Sequence, residues 1–455
     1  MPILNEIPTV LVGNFAEAHI DFLSRSDKPA ERDDLINGED YHGDRIILWA
    51  GDPKLVIVSY PIAHADFNAT RLNYPNTSHV APREPTHYLC LDILREKHLL
   101  ESIVEYSGAD RTVQMIPYAT TREFLQLVDK LRGDFNLRVL TPESPESDHL
   151  WIRDYVDTKT GYRSLASHWL PDANKFIPFG FVCRDLKQAA VTAHWFSSHG
   201  KSCIVKADTG ESGIGTTIIM TEPDLTVERI LSRLQSDPFY ADELIVVESY
   251  IPSANGFSPS IEMKVPKLGE GNPHITYISN QLFLGFGDFC GVQVDRSIYS
   301  QPWYPDLERC TLELAHNLQA MGYVGHFDLD CIVSNENEIY LLEINSRRTG
   351  GTHVHEFAKH AIGDDYIKTT SLLSFEAASS GTITDAKVLL DVLKDFLFPM
   401  PGNEPLGIVI TITTPLIKNR FGYIIAASSE ERVFALKRQV EERIRQHAEG
   451  KNPPL

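Results

Sequence analysis

The sequence predicts an α/β protein of three domains, covering residues 1–150, 151–375 and 376–455. Two observations lead to this prediction. The chain has 455 residues and 42% hydrophobic content, which is enough to bury several cores at the usual domain size. Runs of β-branched and aliphatic residues alternate with helix-like stretches, a pattern that is typical of α/β folds.

The first 150 residues have the pattern of an α/β domain with a largely parallel sheet. Apolar runs at 9–12 and 45–49 predict strands, and apolar residues at helical spacing predict a helix over 121–131. Gly13 and Asn14 follow the first strand without a GxGxxG pattern, so we interpret them as a tight turn and assign this domain no chemistry. The polar, proline-containing segment 141–148 predicts a linker and a boundary near 150.

The rest of the chain divides into a central and a C-terminal domain. Residues 151–375 contain closely spaced strands with glycine-rich or acidic ends, and we expect the chemistry there. Beyond this region, a helix at 385–397, strands at 407–413 and 421–427, and a charged helix at 430–447 predict a small α/β domain.

Composition and charge exclude several classes of partner. Asp and Glu outnumber Lys and Arg by 62 to 42, and the formal net charge of −20 would repel nucleic acids and anionic lipids. The six cysteines show no CxxC pair, so neither a zinc site nor a disulfide framework is indicated. The N-terminus lacks signal-peptide features and no segment is apolar enough to span a bilayer, so we expect a cytoplasmic protein.

The strongest motif is an acidic hairpin. Apolar runs flank a turn that we centre between Glu336 and Asn337, and this register places Asp330 opposite Glu343, with Asn345 on the same face as Glu343. Like charges opposite one another destabilise a sheet unless a cation lies between them. Three oxygen ligands of this kind predict a Mg²⁺ site, in which Mn²⁺ could substitute. The alternative is a solvated acidic hairpin with no metal.

A second motif is a glycine-rich hairpin with a lysine at the end of its first strand. Its members are Lys206, Gly210, Ser212, Gly213 and Gly215. Glycines allow backbone N–H groups to approach phosphate oxygens, and the lysine would contact the α- and β-phosphates as a point charge. A Walker A loop has its lysine after the glycines, so this is a different phosphate-binding device. The alternative is a flexible turn.

A third segment, residues 244–251, has the pattern of a buried strand that ends in a polar stretch. Around Glu248, Tyr250 and Ile251 its backbone could offer adenine one donor and one acceptor. A plain core strand is an equally good interpretation of this segment alone.

Taken in order, these motifs resemble the ATP-grasp superfamily of carboxylate–amine ligases. The resemblance includes Lys159 as an earlier phosphate lysine and Arg347, which follows the acidic hairpin closely enough to meet phosphate oxygens. It implies an α+β grasp core of two subdomains behind a pre-ATP-grasp domain, with ATP and Mg²⁺ as cofactors. By the same resemblance the lysines contact phosphates, the hinge holds adenine, and Asp330, Glu343 and Asn345 bind the metal.

The sequence departs from the family pattern at two positions. Many members have an acid for the ribose hydroxyls where this chain has Asn255, which can hydrogen-bond but carries no charge. Some members have an arginine where this chain has Asp328, so the cation that balances the phosphates must come from elsewhere. We expect Arg296 or Arg347 to supply it, together with Lys206, as the catalytic cations.

The chain layout resembles peptide ligases of the pheganomycin type. This implies that an amino acid or similar acid is joined, through an acyl phosphate, to the amine of an amino acid or peptide in specialised metabolism. Two alternatives stay open: an ATP-grasp kinase that phosphorylates a hydroxyl, and a catalytically silent ATP-binding module. Motifs do not identify the acid or the amine. The oligomeric state is also open, with a homodimer as one alternative.

Overall fold

The structure, a computed structural model, describes residues 6–211, 213–240, 243–253, 256–285, 287–402 and 405–450. Three sheets organise the described chain: a five-stranded parallel sheet, a four-stranded sheet and an eight-stranded sheet. The predicted α/β class is therefore confirmed. Within the described residues, no helix combines the length and the apolar character needed to cross a membrane.

The N-terminal sheet has the strand order β3-β2-β1-β4-β5, and every pairing in it is parallel, as predicted. Its strands are β1 (Thr9–Val12), β2 (Lys54–Ile57), β3 (Thr77–Val80), β4 (Thr112–Pro117) and β5 (Arg138–Leu140). The helices of this region are α1 (Phe15–Leu23), α2 (Pro29–Tyr41), α3 (Ala65–Arg71), α4 (Leu89–Arg95), α5 (Lys97–Tyr106) and α6 (Arg122–Gly133). The first strand is buried along its whole length, as expected for a strand covered on both faces.

The predicted strand at 45–49 is wrong. These residues belong to the 3₁₀ helix His42–Leu48 and the residue after it, and the neighbouring strand is β2. All four apolar residues of the run are 0 or 1% exposed. A short run that is apolar on every side has no periodicity, so it does not distinguish a strand from a buried helical turn.

The four-stranded sheet is antiparallel and has the order β6-β9-β7-β8. Its strands are β6 (Gly180–Cys183), β7 (Cys203–Ala207), β8 (Thr216–Ile219) and β9 (Ile245–Ser249). The helices before and within it are α7 (Leu150–Val156), α8 (Lys159–Trp169), α9 (Ala173–Phe176), α10 (Leu186–Ser198) and α11 (Val227–Gln235). Helix α8 begins at Lys159 because Thr158 caps it, accepting a hydrogen bond from Gly161 N at 3.0 Å.

The eight-stranded sheet has the order β14-β13-β10-β11-β12-β15-β17-β16. Its strands are β10 (Pro259–Val265), β11 (His274–Phe283), β12 (Phe289–Val294), β13 (Gly325–Val333), β14 (Ile339–Asn345), β15 (Ser371–Ser379), β16 (Gly407–Ile412) and β17 (Arg420–Ala427). The accompanying helices are α12 (Tyr304–Ala320), α13 (Thr352–Ala361), α14 (Ala386–Val392) and α15 (Glu430–Ala448). The predicted strands and the last helix of the C-terminal region match within one residue at each end.

The predicted boundary between residues 375 and 376 falls inside β15. This strand pairs with β12 on one side and β17 on the other, so the C-terminal strands extend the central sheet. The sequence pattern did not reveal this continuity because pairing between distant strands leaves no mark on local periodicity. The C-terminal segment therefore shares a sheet with the strands that carry the acidic hairpin.

Candidate active site

The acidic hairpin pairs as predicted at its outer end. Asp330 lies opposite Glu343, and Asp328 lies opposite Asn345. The predicted turn centre is corrected, however, because Ser334 N donates to Glu338 O at 2.8 Å and the strands beyond Asp330 pair one residue out of that register. A β-bulge beside Asp330 absorbs the difference and brings the two acids back into opposition.

Asp330 is held by three side-chain donors from neighbouring strands. Ser260 Oγ and Gln281 Nε2 donate to its Oδ1 at 2.9 and 3.0 Å, and Asn345 Nδ2 donates to its Oδ2 at 2.8 Å. Burial and the carboxylate of Glu343 nevertheless raise the pKa of Asp330 to about 6. The site therefore carries an excess of negative charge that its own donors do not neutralise.

Glu343 has the opposite electrostatic environment. Its carboxylate is 3.0 Å from Lys159 Nζ. Burial alone would raise the pKa of Glu343, but Lys159 and Lys206 hold it below its usual value. Glu343 therefore stays ionised, and both predicted phosphate lysines lie close to the predicted metal ligands.

The donor set fits Mg²⁺ or Mn²⁺. Two carboxylates and one amide converge from facing strands, and hard oxygen ligands of this kind are what these ions prefer. Asn345 presents Nδ2 to Asp330, while its Oδ1 accepts from Arg347 Nη1 at 2.7 Å. A rotation of the Asn345 amide would bring its oxygen to the Asp330 side as a third ligand.

A further buried carboxylate, Asp328, lies beside this set. Its Oδ2 accepts from Thr349 Oγ1 at 2.7 Å, and its Oδ1 has no hydrogen-bond partner among the described residues. Burial and the neighbouring Asp330 raise the pKa of Asp328 to about 8. An orphaned, buried carboxylate oxygen of this kind is costly unless a cation or donor meets it.

The glycine hairpin has the predicted form, with β7 and β8 paired and Lys206 near the end of β7. We call its connecting loop, residues 208–215, the flap. Lys159 Nζ donates to Gly210 O at 2.5 Å, which joins the first lysine to the flap. Gly213 has φ +81°, and a Cβ there would lie 2.6 Å from Gly287 O on the facing hairpin. Ser212 lies outside the described residues.

The hinge segment occupies β9 in the middle of the four-stranded sheet. The Glu248 carboxylate forms ion pairs with Lys206 at 2.5 Å and with Arg163 at 3.0 Å. Its side chain therefore holds in place the lysine that precedes the flap. Ser249 N donates to Phe179 O and Tyr250 N donates to Ser202 O, at 2.7 and 3.1 Å. An adenine donor from this segment must therefore come from Ile251 or beyond. Asn255 lies outside the described residues.

The two arginines proposed as balancing cations lie in different places. Arg347 contacts the site directly, with Nη1 on Asn345 and Nη2 on Glu211 of the flap at 2.6 Å. Arg296 is exposed at the start of the 3₁₀ helix Arg296–Ser300 and is not among the described residues that line the cavities here. The structure thus brings Arg347 to the other site residues and leaves Arg296 apart, a separation that depends on tertiary structure.

Two cavities meet at Arg347. One of about 310 Å³ is lined by Lys159, Gly210 and Glu343, together with His19 of the N-terminal domain. The other, of about 280 Å³, is lined by the metal-ligand candidates and by further N-terminal side chains: Glu39, His42, Arg45 and Tyr118. Sequence reasoning assigned no chemistry to the N-terminal domain and missed these residues. They lie singly in ordinary helices and turns, without a local motif.

Comparisons with known proteins give the following relatives. No protein-family model matches the chain. The L-propargylglycine–L-glutamate ligase of Streptantibioticus cattleyicolor is 24% identical over 238 residues, which cover 49% of this chain and 46% of that ligase. The chain therefore spans about half the length of this curated relative.

Solved structures resemble the chain over nearly its whole length. Biotin carboxylase from Campylobacter jejuni, in a β-γ-ATP complex, has a TM-score of 0.57 at 12% identity over 98% of this chain and 95% of that one. N5-carboxyaminoimidazole synthetase from Staphylococcus aureus has a TM-score of 0.52 at 9% identity, covering 97% and 98%. The biotin carboxylase domain of 2-oxoglutarate carboxylase from Hydrogenobacter thermophilus, with MgADP, has a TM-score of 0.53 at 13% identity, covering 95% and 89%. At these identities the likeness establishes a shared fold.

Proposed function

We propose that this chain, which shares its fold with ATP-grasp enzymes, is an ATP- and Mg²⁺-dependent ligase that joins a carboxylate to an amine. The acid is an amino acid or a similar compound, and the amine belongs to an amino acid or peptide. The named curated relative joins two amino acids, which supports this substrate class. A role in specialised metabolism is part of the same proposal.

One observation carries the proposal. Asp330, Glu343 and Asn345 converge on facing strands, and the phosphate lysines approach the same point, Lys159 at 3.0 Å from Glu343. This is the arrangement that phosphoryl transfer needs, because its transition state is stabilised mainly by positioned positive charge. Arg347 adds a guanidinium that donates hydrogen bonds to Asn345 and to Glu211 of the flap.

The reaction follows from the weak electrophilicity of a carboxylate. The acid's carboxylate oxygen attacks the γ-phosphorus of ATP, ADP leaves, and an acyl phosphate forms. The amine nitrogen then attacks the acyl carbon, phosphate leaves, and the nitrogen loses a proton. Mg²⁺ held by Asp330, Glu343 and Asn345 supplies Lewis-acid stabilisation of the phosphate charge when bound.

The chain's own residues provide binding and charge. Lys159 and Lys206 neutralise phosphate oxygens, and Glu248 keeps Lys206 in position through their 2.5 Å ion pair. The flap covers the nucleotide, with Gly210, Gly213 and Gly215 allowing a close backbone approach. Arg347 balances the charge of the phosphoryl group during transfer.

Product analysis tests the proposal. The full chain would be incubated with ATP, Mg²⁺ and pairs of amino acids or short peptides, with mass detection of condensed products and separate assays for ADP and free phosphate. We expect an amide product and one phosphate per ADP when both acid and amine are present. A phosphorylated substrate without free phosphate would indicate a kinase instead, and a chain that binds ATP without forming ADP across the panel would indicate a silent module.

A further inference from the structure

The flap carries its own anion into the site. Glu211 Oε1 accepts from Arg347 Nη2 at 2.6 Å, and Glu211 Oε2 lies 2.5 Å from Nδ1 of His19 in α1. The Tyr118 hydroxyl completes this arrangement, accepting from Arg347 Nε at 2.9 Å and lying 3.4 Å from His19 Nε2. The Glu211 carboxylate thus contacts His19 of the N-terminal region and Arg347 of the central region.

This arrangement is largely shielded from water. The side chains of His19, Arg347 and Glu211 are 8, 9 and 12% exposed. Burial alone would raise the pKa of Glu211, but His19 and Arg347 hold it well below its usual value. Electrostatic interactions are strong at such a position, so the groups around Glu211 form a good receptor for an oxyanion.

The position of this receptor relates it to the chemistry. Glu211 and Arg347 both line the cavity with Lys159 and the cavity with the metal-ligand candidates. Arg347 also bonds to Asn345, one of those candidates. The carboxylate of Glu211 therefore lies at the junction between the predicted phosphate side and the predicted substrate side.

We propose that Arg347, His19 and Tyr118 form an oxyanion site that Glu211 fills in the nucleotide-free protein and vacates for the reacting group. That group is the γ-phosphoryl of the nucleotide or the carboxylate of the acid, which share the negatively charged oxygens that the site recognises. The inference rests on the proposed ATP-grasp function. It gives the N-terminal domain a direct role in binding and provides a cationic partner where Asp328 replaces an arginine.

A metal ion in this pocket is the competing interpretation. Glu39 lies close by, and the ligand atoms of His19, Glu39 and Glu211 are all within 4.8 Å of one another. However, His19 Nδ1 lies 2.5 Å from Glu211 Oε2, and Glu211 Oε1 accepts from Arg347 Nη2 at 2.6 Å, so a metal ion would have to displace the guanidinium that already neutralises this carboxylate.

Nucleotide binding to variants of the full chain tests the site. Calorimetry would measure Mg·AMP-PNP and Mg·ADP, which differ by the γ-phosphoryl group, for the wild type, Glu211→Gln and His19→Gln. We expect Glu211→Gln to tighten Mg·AMP-PNP about tenfold because the competing carboxylate is gone, and His19→Gln to weaken it about tenfold. Mg·ADP affinity should stay constant in both. A second experiment titrates acetate into each protein in the presence of Mg·ADP. It measures the affinity of the site for a carboxylate, the alternative ligand.

Glu243→Gln is the matched control. Glu243 also holds the flap, accepting from Thr209 N at 3.1 Å and pairing with Arg25 at 2.5 Å, but it does not contact Arg347 or His19. Glu243→Gln should leave the ratio of Mg·AMP-PNP to Mg·ADP affinity unchanged. A general loosening of the flap would instead change this ratio in the same way in all the variants. Thermal unfolding checks that each variant is folded.

The outcomes separate the two proposals. A shift in the nucleotide ratio supports the site with the γ-phosphoryl as its ligand, and a shift in acetate affinity alone supports it with the acid's carboxylate. Normal binding of both nucleotides with neither quantity changed in Glu211→Gln and His19→Gln overturns the oxyanion site and leaves the ligase proposal standing. A wild type that binds neither nucleotide overturns the proposed function itself.

Discussion

Replacement of Asp330 by Asn should make the metal-free protein more stable while abolishing turnover. In the wild type the carboxylate is kept beside Glu343, and its pKa rises from 3.8 to about 6. At about 1.4 kcal/mol per unit, the shift corresponds to about 3 kcal/mol of unfavourable energy in the ionised folded state. Solvent screening reduces this energy because Asp330 is partly exposed, and the amide substitute also loses a charged hydrogen bond. We therefore expect the free energy of unfolding to rise by about 2 kcal/mol in Asp330→Asn.

The pH dependence has a definite sign. Below about pH 4 Asp330 is protonated in both the folded and unfolded states, so it does not lower the free energy of unfolding. As the pH rises through 6 the folded state must ionise it, and the wild type loses this stability. Asp330→Asn should not show that loss, so the difference between the two proteins should grow between pH 4 and 7.

Denaturant unfolding at pH 7.5, first with EDTA and then with saturating Mg²⁺, measures the effect. Mg²⁺ at about 100 times its dissociation constant stabilises a protein by about 2.7 kcal/mol, and the wild type should gain this where the variant does not. Glu336→Gln, an exposed change in the turn of the same hairpin, is the control and should alter neither stability nor turnover. A variant no more stable than the wild type in EDTA, or one that retains turnover, would refute the assignment of Asp330.

Three further predictions concern the flap lysine, a flap glycine and a buried lysine. Lys206→Met should raise the KM for ATP by about 10- to 100-fold, because a charged phosphate contact is lost; unchanged ATP kinetics would contradict its role. Gly215→Ala should lower stability by about 1–3 kcal/mol, since φ is +70° and the new Cβ would lie 2.9 Å from Ala207 Cβ. Gly108→Ala, at φ +65° in open space, measures the cost of φ alone, and an equal loss in both would exclude the clash. Burial lowers the pKa of Lys54 from 10.5 to about 7, so the unfolded state holds the extra proton above pH 7 and wild-type stability should rise by about 2 kcal/mol between pH 7 and 9. Lys54→Met should remove that rise in pH-dependent melts, and a slope that persists in the variant would show that Lys54 is not its source.

Local patterns predicted the parts of the molecule that local physics determines. The apolar run at 9–12 and the helical spacing at 121–131 correspond to β1 and to α6, which begins one residue later at Arg122. The pairing of Asp330 with Glu343 was also predicted, although the true turn is centred on Glu336 and a β-bulge restores the register. The turn could not be placed from sequence because Asn337 adopts φ +64°, a conformation that asparagine tolerates but does not require.

The misread parts depend on long-range contacts. The apolar run 45–49 lies in a 3₁₀ turn that ends at Leu48, and the next residue, Trp49, packs under the guanidinium of Arg348, which lies 4.8 Å from its ring and belongs to the segment after β14. Arg348 in turn donates to Glu143 at 2.7 Å, which ties the predicted linker to the hairpin. Interactions across some 200 or 300 residues cannot be inferred from the periodicity of either segment.

Long-range contacts also give the N-terminal residues a role that their local sequence does not reveal. His19 and Tyr118 gain significance only because tertiary structure brings Glu211 to 2.5 Å from His19 and Arg347 to 2.9 Å from Tyr118. A histidine in an amphipathic helix and a tyrosine after a strand have no distinctive spacing, and their chemistry depends on what faces them. The motifs of the central region predict the site, but the residues that would complete its charge balance must be identified from the assembled structure.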